Sequence, residues 1–103
     1  MVGTWTGSYS FALANGTANP STETLIITRQ DGRLLWGYEQ WEEAGTQMRA
    51  DLTGTLTNDG SRIVLTEPAG FYDGTVEDNT MTVTFIRTDP DQHTAFEVQL
   101  TRR

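Results

Sequence analysis

Apolar and polar residues alternate along most of this chain with a period of two. Near the start Trp5, Gly7, Tyr9, Phe11 and Leu13 are separated by Thr6, Ser8, Ser10 and Ala12; near the end Phe96, Val98 and Leu100 are separated by Glu97 and Gln99. Period two is the pattern of a strand with one buried and one solvated face, and no window of a dozen residues carries the stripe of an amphipathic helix. Frequent threonine, with valine, isoleucine and aromatic residues, is strand composition too.

Turn signals set the pairing between these stretches. Asp31-Gly32 suits a two-residue hairpin turn in which both central residues take positive φ. Counting outward pairs Gln30 with Arg33, Ile27 with Trp36 and Leu25 with Tyr38. That register puts Leu25, Ile27, Leu34, Trp36 and Tyr38 on the buried face, and Leu35 and Glu39 on the other. Asp59-Gly60 sets Leu56 opposite Ile63 and Gly54 opposite Leu65, with Thr53, Thr55, Thr57 and Thr66 on the reverse side. Asp78-Asn79 sets Val76 opposite Met81, Gly74 opposite Val83 and Tyr72 opposite Phe85. Each hairpin has one apolar and one polar side.

Eight strands result, over about 4–13, 23–30, 33–41, 47–57, 62–67, 71–77, 80–87 and 93–102, with loops at 14–22, 42–46 and 88–92. Closing such a sheet removes its exposed edges, and short hairpins without long crossovers favour up-and-down order. The fold class expected is therefore all-β, an eight-stranded antiparallel up-and-down β-barrel, rather than a sandwich. Inward glycines at Gly7, Gly54 and Gly74 let strands bend.

Length changes this picture little: 103 residues make one domain, 1–103. The absence of cysteine removes disulfides and thiolate metal sites. Charge excludes more. Seven basic residues, all arginine, stand against 14 acidic ones for a net charge of −7, so neither nucleic acid nor an anionic membrane surface is an expected partner. No apolar run reaches the length of a membrane span, and no signal segment follows Met1. The expectation is a soluble protein, cytoplasmic unless a leader has been removed. Asn15-Gly16-Thr17 fits the glycosylation sequon, a pattern short enough to arise by chance.

Three segments bear a family resemblance. Gly3-Thr4-Trp5-Thr6-Gly7 looks like the Gly-x-Trp start of lipocalins and avidins. Leu34-Leu35-Trp36-Gly37-Tyr38-Glu39 is similar to the second-strand motif of streptavidin. Phe96-Glu97-Val98-Gln99-Leu100-Thr101-Arg102 resembles the final strand of avidin. They occur in the right order over roughly a quarter of the chain, and imply the streptavidin–avidin branch of the calycin barrels. The resemblance also implies association into dimers or tetramers through barrel walls. It does not bring biotin with it. Gly7 stands where the family places an asparagine on the ureido oxygen, no tryptophan follows Trp41, and the aspartate near the last strand has no counterpart. Several lost buried hydrogen bonds, at about 1–3 kcal/mol each, remove tight binding.

The candidate chemistry lies in the inward aromatic residues Trp5, Tyr9, Phe11, Trp36, Tyr38, Tyr72, Phe85 and Phe96. An eight-stranded barrel is just wide enough to be filled by side chains or to hold one small ligand. Trp5 reads as a plug. Buried tyrosine hydroxyls need partners, and an apolar cavity with a few converging polar groups is the usual ligand site. The ligand-binding residues expected are Tyr9, Trp36, Tyr38, Gln40 and Tyr72, taking a small apolar or aromatic molecule. Trp41 and Phe71 fall outward and are open to partner contacts. Asp89-Pro90-Asp91-Gln92-His93 is too loose for a metal site, and no cofactor motif is present. Three readings follow: a non-catalytic binding barrel, an interaction domain with a solid core, or a barrel isomerase or cyclase. The last needs a tyrosine hydroxyl touching an interior base, and this register turns Glu39 and Asp73 outward.

Overall fold

The computed structural model describes residues 1–12, 18–43, 45–88 and 94–103. Its eight strands are β1 (Gly3–Ala12), β2 (Ala18–Asp31), β3 (Leu34–Glu43), β4 (Thr46–Leu56), β5 (Arg62–Glu67), β6 (Gly70–Glu77), β7 (Thr80–Arg87) and β8 (Thr94–Arg102). They form one closed antiparallel barrel in chain order, β1 pairing with β8 through Trp5↔Arg102 and Thr6↔Thr101. The all-β up-and-down barrel expected from the alternation is the fold. No helix among the described residues is long and apolar enough to cross a membrane. The sequon at Asn15, Leu13, the Asp89–His93 string and the side chain of Phe11 lie outside the described residues.

Two hairpins have the register that their turns dictate. Leu56 faces Ile63 and Gly54 faces Leu65; Val76 faces Met81, Gly74 faces Val83 and Tyr72 faces Phe85. The Asp59 carboxylate caps its own turn, accepting from Thr57 Oγ1 at 2.7 Å and from Ser61 N and Oγ at 3.0 and 2.7 Å. Those hydrogen bonds, the Thr57 one foremost, pull its pKa down to about 2. Two loops are shorter than expected: β3 runs to Glu43 and β4 starts at Thr46, with Glu42↔Gln47 paired, and β2 begins at Ala18, so residues 18–22, read as loop, instead extend the ladder to β1, with Tyr9↔Ser21 and Ser8↔Thr22.

The β2–β3 hairpin departs from expectation in a way that rearranges the interior. Its tip is Gly32-Arg33, with Gly32 at φ +59° and Asp31 facing Leu34. Moving the tip one place along both strands would leave every facing unchanged. A bulge at Thr28 does not. Arg29 pairs with Trp36, Thr28 is passed over, and Ile27 pairs with Gly37 and Leu25 with Glu39. The extra residue keeps Leu25 and Ile27 inside but inverts β3 relative to them. Leu35 is therefore buried, and Leu34, expected in the core, is 51% exposed. Trp36, Tyr38 and Gln40 turn outward, and Glu39 turns in.

The hairpin end of the interior is packed with Trp5, Leu25, Ile27, Leu35, Leu52, Leu56, Ile63, Leu65, Met81, Val83, Val98 and Leu100. Trp5 closes it as expected: the ring is fully buried, its Nε1 donates to Met1 O at 3.0 Å, and the Arg102 guanidinium lies 5.2 Å from the ring centre. Arg102 also donates to Asn79 Oδ1 at 2.7 Å, tying the last strand to the β6–β7 turn. Close strand approach depends on inward glycines. A methyl group at Gly7 would run into the backbone oxygen of Gln99, and one at Gly74 into that of Thr82, each on the adjacent strand.

Candidate functional site

Of the five residues expected to line a ligand site, the structure brings Tyr9 and Tyr72 together on the inside. Trp36, Tyr38 and Gln40 lie on the outer face of β3, and the bulge at Thr28 is the reason. Outside, the Arg29 guanidinium lies 4.2 Å from the Trp36 ring centre and that of Arg49 lies 3.7 Å from the Tyr38 ring centre. Trp41, half-buried, falls on the inward side with Leu35 and Glu39 by the same inversion, not outward as expected; Phe71 stays on the outer side.

What the inversion brings inside is a carboxylate. Glu39 is 4% exposed, and Glu23, extending the inward series of Ile27 and Leu25, is 2% exposed. Among the described residues these are the two buried charged side chains. Tyr72, fully buried on β6, reaches both: its Oη lies 2.8 Å from Glu23 Oε1 and 2.5 Å from Glu39 Oε2. A phenol has one proton to donate and otherwise accepts. Donating to one carboxylate, it keeps the second contact as a hydrogen bond only if the other carboxyl is protonated and donates to it. The pair plus tyrosine therefore holds one proton more than two carboxylates would.

The electrostatics agree with that proton count. Burial, then the hydrogen bond and charge of Glu23, pushes Glu39 up to about 8. Burial raises Glu23 as well, against the opposing effect of its hydrogen bonds to Glu39 and Tyr72. Tyr72 is driven far above its ordinary value by burial and then by the two carboxylates, so it stays a phenol. A third acid borders the pair. Glu67, half-buried at the end of β5, accepts from Ala69 N at 2.8 Å. Burial, then its hydrogen bond and charge interaction with Glu39, raises it to about 7, while Ala69 and Arg87 act to lower it.

Aromatic rings complete the layer. Tyr9 stacks on Phe96 with centroids 3.9 Å apart and planes at 12°. Phe96 meets Phe85 at 5.3 Å and Phe85 meets Tyr72 at 4.7 Å, both tilted. Burial raises the Tyr9 pKa, countered by its hydrogen bond to Ser21, with Glu23 and Glu39 adding to the rise. Around the barrel, then, β1, β8, β7 and β6 supply rings while β2, β3 and β5 supply acids. This layer sits toward the end where β1–β2, β3–β4, β5–β6 and β7–β8 connect, opposite the Trp5 plug. Chemically it offers acceptors, one acidic proton and flat apolar walls. Among the described residues no group of three or more His, Cys, Asp or Glu is arranged to hold a metal ion.

Sequence reasoning missed Glu23, Glu39 and Glu67. Glu23 was reachable, since it continues the Leu25, Ile27 alternation by one step. Glu67 likewise continues Ile63 and Leu65. Glu39 was not, because its facing depends on a bulge that no residue type announces. Compared with known proteins, the chain matches no protein-family model and no curated protein sequence.

Proposed function

We propose that this barrel is a non-catalytic binding protein for a small molecule, held at the loop end of the interior beside Glu23, Glu39, Tyr72 and Tyr9. The observation that carries this reading is the Tyr72–Glu23–Glu39 cluster itself. Burying two acids costs several kcal/mol per charge if they ionise, and an apolar layer would serve stability better. Acids in such a place, bordered by a wall of rings, are the few converging polar groups of a ligand site. Carboxyl acceptors select a molecule with N–H or O–H donors; the rings of Tyr9, Phe96 and Phe85 select a flat, partly apolar body. Resemblance to the streptavidin–avidin barrels at three segments supports the same reading and suggests wall-to-wall oligomers, although Gly7 and the missing later tryptophans do not suit biotin.

The test is a fragment titration followed by NMR, using small aromatic amines, amidines and cyclic ureas, biotin among them. A binder should shift the amides of Tyr9, Glu23, Glu39 and Tyr72 while leaving those of Ile63 and Val83 in place, and Glu39→Gln should weaken it at least tenfold. If no fragment perturbs the loop-end amides, the reading fails.

One observation favours an enzymatic alternative: a tyrosine hydroxyl in contact with interior carboxyls, the arrangement that a barrel isomerase or cyclase needs. Glu39, at about 8, is suited to move a proton near neutral pH, whereas Tyr72 is too weak an acid to do so. Turnover of a bound fragment, lost in Glu39→Gln, would separate this from simple binding. The interaction-domain reading is weakened because Trp41 is not on the outer wall.

A further inference from the structure

Two neighbouring strands and a third distant in the chain meet across the interior at the Tyr72 hydroxyl: β2 through Glu23, β3 through Glu39 and, opposite them, β6 through Tyr72. We propose that this cluster is a proton-operated latch, in which one shared proton holds the loop end of the barrel closed and its loss lets that end open while the hairpin end stays packed. The inference does not depend on what the barrel binds.

The geometry supplies the mechanism. With the proton present, Glu39 donates to the Tyr72 oxygen and Tyr72 donates to Glu23, so one continuous chain of hydrogen bonds crosses the barrel. With the proton gone, the phenol satisfies one carboxylate only. The other then sits as an unpaired charge, 4% exposed or less, a few ångströms from a like charge. Water is the remaining means of relief, and reaching it requires β2 or β3 to move away from β6. Glu67 adds a further acid on the open side and strengthens the repulsion once it too is ionised.

Among the described residues, the surroundings contain little to offset that charge. Facing the cluster are Tyr9 from β1, which stays a phenol across the range concerned, Glu67 from β5 and Arg87 from β7, whose charge acts on Glu67. At this level β4 presents Met48 and Ala50 and β8 presents Thr94 and Phe96, none of which titrates. Raising the pH therefore raises the negative charge in one layer of the barrel and leaves the apolar layers below it unchanged.

Hydrogen exchange read residue by residue tests the latch. After correction for the base-catalysed chemical rate, the opening constant of loop-end amides (Thr24, Gln40, Asp73) should rise about tenfold per pH unit between pH 6 and 8, as expected when one proton is released on opening. Amides of Leu56, Ile63 and Val83 should show no such rise over that range. Glu39→Gln, which keeps a donor without a removable proton, should flatten the loop-end dependence. Carboxyl carbon NMR of the unmodified protein provides a second measurement that needs no variant to fold: one of Glu23 and Glu39 should titrate above pH 7. Carboxyls that both titrate below pH 5, or exchange that accelerates equally at both ends, overturn the proposal.

Discussion

The two ends of this barrel are built from the same strands and stabilised on different principles. Toward the hairpin turns, Trp5 and eleven aliphatic and methionine neighbours form a layer with no buried ionisable side chain among them, so its free energy follows buried area. Toward the loops the same strands carry Glu23, Glu39 and Tyr72, where free energy follows the number of bound protons. The strand pattern is continuous; what changes within two to four residues along β2, β3 and β5 is an aliphatic side chain giving way to glutamate. Packing alone does not require that change, and this is why the loop end is where function is sought.

The comparison is broken most severely from the hairpin end. Trp5→Ala should cost about 3–5 kcal/mol, because it removes a fully buried ring and leaves a cavity beneath the Met1 segment. Urea denaturation measures it, and the loss should be the same at pH 6 and pH 8. A loss below about 1 kcal/mol would show that the plug is not what anchors this end.

Next in size is the pH dependence of the unmodified protein. The Glu39 carboxyl is raised from 4.5 unfolded to about 8 folded, so between those values the folded state binds the proton and the unfolded state does not. This group's contribution is then full at and below about pH 4.5 and is lost as pH rises toward 8, with a slope of about 1.4 kcal/mol per pH unit. Glu67, raised in the same sense to about 7, adds to the fall. Urea midpoints from pH 5 to 9 measure the slope, and Glu39→Gln should remove most of it. A protein more stable at pH 8 than at pH 5 would contradict the buried proton.

Tyr72→Phe addresses the same end with a smaller effect. It retains the ring against Phe85 and deletes the hydroxyl that both carboxyls contact. The cost expected at pH 6 is about 1–3 kcal/mol, the range for buried groups left short of a partner. Its effect should grow with pH, unlike that of Trp5→Ala. Equal costs at both pH values would mean that Tyr72 acts through packing alone.

Much of this was legible in the residues, and the part that was not has one cause. Alternation and turn chemistry specify strands whose ends fall within a few residues of those observed, except that β2 starts early, and two of three hairpin registers follow from Asp59-Gly60 and Asp78-Asn79 directly. The third hairpin also has its Asp-Gly pair, but a bulge at Thr28 leaves no mark in composition; threonine is as ordinary in a regular strand as in a bulged one. That single residue moved Trp36, Tyr38 and Gln40 out of the expected site and put Glu39 into it. A local irregularity in one strand thus decided the chemistry of the interior, while leaving the fold untouched.

The smallest effect tests that inversion from the outside. If Tyr38 faces solvent, its ring is covered by the Arg49 guanidinium at 3.7 Å, and Arg49→Ala removes an exposed cation–π contact of about 0.5–1 kcal/mol. Were Tyr38 inside, as simple alternation has it, Arg49 would have no ring to cover and the same substitution would be silent. The Tyr38 ring offers a sharper readout than stability, because its proton shifts should move on loss of the guanidinium while those of Tyr72 stay fixed. Movement of Tyr72 with Tyr38 would place both rings in one layer and undo the separation of the outward Tyr38 from the interior cluster.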